Sequence, residues 1–157
     1  MPQTISTELF TGNLQALLKE TFEKVDGIYL DGGTSLSETL TGITAEQASR
    51  PTVEGGATIA GHVEHLRFYI RILRDYIDGK WHEKVDWNQS WLCHAVSQAE
   101  WDTIRSGLMD DYQRLKAHLS GIADWNDDHR LGGAMAIVIH TAYHLGAIRQ
   151  MMKVVKG

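Results

Sequence analysis

The chain of 157 residues sets 15 basic against 20 acidic side chains, a formal charge of −5, so neither nucleic acid nor an anionic membrane is an expected partner. Its length suits a single domain, residues 1–157, able to bury roughly 70% of the surface its unfolded chain exposes. One cysteine, Cys93, excludes an internal disulfide, and residues 1–20 hold Glu8 and Glu20 without the apolar core or cleavage site of a secretory signal, so a cytoplasmic protein is expected.

The first helix is predicted from about Ser6 to Tyr29, because Leu14, Leu18, Phe22, Val25 and Tyr29 recur at steps of four and three. Residues 31–57 break that pattern with five glycines and Pro51. Within them Thr44 and Gln47 have the spacing of a capping box, which predicts a helix of one or two turns before Pro51. The segment is expected to be a long crossover inside one domain.

The second helix is predicted from about Thr58 to Asp78, where Ile59, Val63, Leu66, Ile70, Leu73 and Ile77 form a heptad seam and Gly79 supplies the stop. The connection "GKWHEKVDWNQSWLCH" follows. Its Trp81, Trp87 and Trp91 suit aromatic anchoring of a long loop, with a pocket wall or lid as the alternative. Ser97 and Glu100 then form a capping box with Val96 and Trp101 as its staple, and the third helix continues through Ile104, Leu108, Tyr112, Leu115 and Leu119 to about Gly121. The fourth runs from Gly132 or Gly133 to Lys156. Four amphipathic helices of this length predict an all-α four-helix bundle, and no uninterrupted apolar run approaches the roughly 18 residues of a membrane span.

The fourth helix carries "HTAYHLGAIRQ", in which His140 and His144 lie four residues apart on the stripe Ile137, His140, His144, Ile148, Met151 and Val155. Imidazoles on an apolar line must be hydrogen-bonded or bound to something. A second stripe, Met135, Val138, Ala142, Leu145 and Met152, lies roughly opposite. With small Ala134, Ala142, Gly146 and Ala147 allowing close approach, it predicts a two-fold homodimer. On the second helix His62 lies about 60° from the centre of the seam and His65 about 120°, so His62 is expected to point inward.

One inward imidazole from the second helix and an i, i+4 pair from the fourth make a facial triad for a divalent transition metal. A neutral pair bonded to each other or to carbonyls fits the same spacing. His82, His94, His118 and His129 fall on rims or connections. Thr141 stands where a zinc protease of the H-E-x-x-H type needs glutamate, so that activity is not supported, and Cys93 has the pattern of a small buried hydrophobe.

The segments "GHVEHLRFY" and "HTAYHLGAIRQM" resemble the paired signatures of the DinB/YfiT-like superfamily. That resemblance implies a four-helix bundle of up-down-down-up order, often a homodimer, with three histidines holding zinc, nickel or a similar ion. His62 matches the first ligand, His140 and His144 match the pair, and Gly146 matches the glycine after it. His65 is the alternative first ligand, and Ala147 departs from the glutamine often found at its position. The resemblance implies a metal-dependent thiol S-transferase or hydrolase, with a small-molecule thiol or another small substrate as partner. The alternative is a noncatalytic, dimeric metal-binding or stress-related module.

Overall fold

A computed structural model describes residues 4–157, and among them all regular structure is helical: α1 (Thr7–Phe22), α2 (Leu36–Leu40), α3 (Ala45–Ala48), α4 (Ile59–Ile77), a 3₁₀ helix (Trp87–Trp91), α5 (Gln98–Ser120) and α6 (Asp128–Lys156). The four long helices pack pairwise, α4 on α5 and α6, and α1 on α5 and α6. One core joins them, built on Leu18, Phe22, Leu66, Ile70, Trp101, Tyr112 and Ile137.

Helix starts follow their caps. Ser6, Thr58 and Ser97 each accept from the backbone N–H three residues on, and Ser97 forms the expected reciprocal box with Glu100. Thr44 and Gln47 box α3 as predicted. A further box, Ser35 with Glu38, starts α2, which the apolar pattern of the crossover did not announce. Gly79, at φ +72°, ends α4 in the left-handed conformation that a side chain disfavours.

Two boundaries differ from expectation. The apolar stripe of α1 continues in register to Tyr29, yet the helix stops at Phe22. The buried Glu20 carboxylate accepts from the backbone N–H groups of Asp26, Ile28, Tyr29 and Leu30, at 3.1, 2.8, 2.7 and 2.7 Å. Four donors aimed at one anion folded into the helix end outweigh nearly two more turns of helix. Burial pushes the Glu20 pKa up, but these donors outweigh it and hold the carboxyl down at about 2.

α6 starts about a turn earlier than its glycines suggested, because the Asp127 side chain accepts from Arg130 N–H. Gly132 and Gly133 then lie inside the helix. A Cβ on Gly133 would stand 3.1 Å from Ile77 Cγ1, so the glycine lets α4 approach closely. By length and composition α6 is apolar enough to cross a membrane, which qualifies the expectation drawn from uninterrupted runs. Here Ile137, Val138, Leu145, Ile148, Met151 and Val155 are buried within the fold. Of the second stripe Val138 and Leu145 are buried, Ala142 and Met152 half-buried and Met135 exposed; Met135, Ile139, Tyr143 and Val154 are the large α6 apolar residues left exposed, at 45%, 63%, 71% and 61%.

Candidate metal centre

α4 and α6 bring four histidines together. One nitrogen from each of His65, His140 and His144 lies within 4.8 Å of the others, the donor grouping of a metal site. His65 Nε2 and His140 Nε2 stand 2.9 Å apart. Two nitrogens bound to one ion at about 2.1 Å each stand roughly 3.0 to 3.4 Å apart, so the apposition is close to the spacing of shared ligands. His62 reaches the same cluster from one turn away, its Nδ1 2.8 Å from His144 Nδ1.

The sequence expectation placed His62 inward and His65 farther round the helix. In the structure both point into the cluster, and His65 is the more deeply buried, at 6% exposure, with His62 half-buried. His65 is enclosed by the tryptophan-rich connection, where Trp91 packs on its ring and Ser90 Oγ lies within hydrogen-bond distance of its Nδ1. His140 is half-buried and His144 buried, as their stripe implied.

Aromatic rings hold the imidazoles by their faces and leave the ring edges to converge. Trp91 stacks on His65 with centroids 4.1 Å apart, and Tyr69 stacks on His140 at 3.7 Å. Trp91 also meets His62 edge-on, while Trp87 packs on Phe68 and Tyr69. The tryptophan-rich loop is therefore both anchored and part of the site wall, which resolves the two roles weighed for it into one. Its close approach depends on Gly61: a Cβ there would meet the Cys93 carbonyl oxygen at 2.8 Å.

The donor set fits a divalent transition metal. Burial keeps His65 and His144 neutral, holding the first down at about 4 and the second at about 3, with the neighbouring imidazoles adding to the effect. Burial lowers His140 and His62 in the same direction. Neutral imidazole is the ligating form, and three of them suit zinc, nickel or a similar ion. Among the described residues no carboxylate or thiol joins this cluster. Cys93 lies apart, half-buried in a groove of about 700 Å³ with Arg67, Phe68, Arg71 and Val96. Burial there, with the Glu64 and Glu100 charges, pushes its thiol pKa up, away from the reactive thiolate.

Ser90 was not foreseen as part of the site. It is buried in the 3₁₀ helix, and its Oγ lies 2.7 Å from His65 Nδ1. A serine between two tryptophans in a connection carries no spacing signal that ties it to a helix 25 residues away. Trp91 was visible as an aromatic, and its contact with two histidines was not.

A family model described as the DinB superfamily matches residues 31–148, most of the chain and all four clustered histidines. No curated protein and no solved structure matches.

Proposed function

Since the chain belongs to the DinB superfamily, we propose that it is a metal-dependent enzyme whose divalent ion, zinc or nickel, is held by His65, His140 and His144 between α4 and α6. The convergence of one nitrogen from each within 4.8 Å carries this reading. In it the four long helices form an up-down-down-up bundle, with the ligands on two facing members. A second set, His62 with His140 and His144, is favoured by the 2.8 Å contact between His62 and His144.

Bound there, a divalent ion keeps its full charge against three neutral ligands and lowers the pKa of a thiol or water at a remaining position. The chain supplies three imidazoles, those of His65 and His140 oriented by stacking, and a wall formed by Trp91 and Tyr69. Half-buried His140 leaves an approach from solvent. Three protein donors grouped within 4.8 Å, with His62 outside that grouping and no carboxylate or thiol beside it among the described residues, favour an exchangeable position, and hence a thiol S-transferase or hydrolase, over a closed structural site.

We also propose a two-fold homodimer. Its support is the apolar surface shared by α1 and α6, where exposed Met135 and Ile139 line a groove with Phe10 and Leu17, and Tyr143, one turn beyond Ile139 on α6, is exposed as well.

Cobalt-substituted protein titrated with small thiols tests the catalytic reading. A spectral change lost in His144→Ala is expected. A spectrum indifferent to every thiol overturns the open site in favour of the noncatalytic module.

A further inference from the structure

The hydrogen bonds around Ser90 fix the protonation of His65. The Ser90 Oγ–H has an acceptor already, the carbonyl oxygen of Trp87 at 2.6 Å. A carbonyl only accepts, and serine has a single hydroxyl hydrogen, so Ser90 donates to Trp87 and its oxygen is left to accept. The other partner of that oxygen is His65 Nδ1, at 2.7 Å. For that contact to be a hydrogen bond, the proton must belong to the imidazole. His65 is then the Nδ1–H tautomer, and Nε2 keeps its lone pair. Nε2 is the atom that faces His140 Nε2 at 2.9 Å.

We infer that Ser90 is a positioning residue of the metal centre: it holds His65 as the Nδ1–H tautomer and thereby selects Nε2 as its metal-binding atom. Burial makes the role specific. Ser90 is 4% exposed and His65 6%, so water does not readily replace the hydroxyl. Trp91, next in sequence, stacks on the same ring at 4.1 Å. One short helical turn therefore fixes both the plane of His65 and its tautomer. A ligating histidine needs a partner on its other nitrogen, and loss of such partners typically weakens metal binding roughly 10- to 100-fold.

The inference rests on the proposed metal site, but its first test needs no metal. Long-range proton–nitrogen correlation spectra of histidine-labelled, metal-free protein report each tautomer, with His65→Gln assigning the signal. His65 is expected as Nδ1–H in the wild type and not held in that form in Ser90→Ala. Zinc affinity, measured by chelator competition, is expected to fall roughly 10- to 100-fold in Ser90→Ala and to return to within a few-fold of wild type in Ser90→Thr, which keeps the hydroxyl. A wild-type His65 protonated on Nε2 overturns the assignment. So does a Ser90→Ala zinc affinity equal to that of wild type, or an equal loss in both variants. A wild type that binds no zinc but shows Nδ1–H His65 defeats the metal site and leaves the Ser90 contact standing.

Discussion

His62 Nδ1 and His144 Nδ1 face each other across the α4–α6 interface at 2.8 Å, so one ring donates and the other accepts. If His144 is the donor, its Nε2 stays free to ligate and His62 acts as its hydrogen-bond acceptor. This makes the two α4 histidines unequal. His65→Ala, His140→Ala and His144→Ala are each expected to lose zinc, whereas His62→Ala keeps the ion with affinity reduced roughly 10- to 100-fold. Elemental analysis and chelator competition check this. Full zinc retention in His65→Ala with loss in His62→Ala selects the His62 ligand set instead.

Acid should weaken the metal-free protein in two overlapping windows. His65 and His144 have folded-state pKa values of about 4 and about 3, below the ordinary 6.5. The unfolded chain therefore takes up protons that the folded chain refuses, and stability falls as pH drops from about 6.5 toward about 4 for His65 and about 3 for His144. Glu20 acts lower: its folded pKa of about 2 lies under the ordinary 4.5, so its contribution is intact above 4.5 and lost toward pH 2. Urea midpoints between pH 7 and 4.5 should fall in wild type and fall less in His144→Gln. A flat profile across that range contradicts the buried neutral histidines.

Removing the Glu20 charge should loosen the turn after α1. Glutamine offers one carbonyl oxygen and places an NH₂ against backbone donors, so Glu20→Gln cannot satisfy all four N–H groups now bound to the carboxylate. The melting temperature is expected to drop on the order of 5 to 10 °C. Hydrogen exchange should localise the change to residues 26–30, and unchanged protection there would count against this role.

Gly61→Ala tests the approach of the tryptophan-rich loop. The added Cβ meets a backbone oxygen, Cys93 O, at 2.8 Å, so the loop or α4 has to move. Ser90 and Trp91 are carried on that loop. The variant is expected to stay helical by circular dichroism while zinc affinity falls at least several-fold and tryptophan fluorescence changes. Unaltered zinc binding would separate the loop from the site.

Assembly should depend on α6 residues that the single chain leaves uncovered. Light scattering at tens of micromolar, a range suited to a moderately stable interface, is expected to give a dimer for wild type and a monomer for Ile139→Asp/Tyr143→Glu. Val138 and Leu145 are buried within the chain at 8% and 1%, so their replacement would unfold the protein without testing the interface. A monomeric wild type removes the homodimer.

The helices and most of their ends were determined by sequence, because caps and apolar periodicity act within one or two turns. Thr58, Ser97 and Gly79 show this, and so does the placement of His140 and His144 on the apolar stripe of α6. Contacts between distant segments decided the rest. Seam angles favoured His62 over His65, and only the docking of α4 against α6 and the tryptophan-rich loop showed which ring is enclosed and by what. Glu20 looked like one more polar residue of an amphipathic helix until the chain turned back to place four N–H groups on its carboxylate. Ser90 became part of the site by the same kind of non-local approach: its hydroxyl acquires a role from the Trp87 carbonyl and from an imidazole 25 residues away, and no local pattern encodes that meeting.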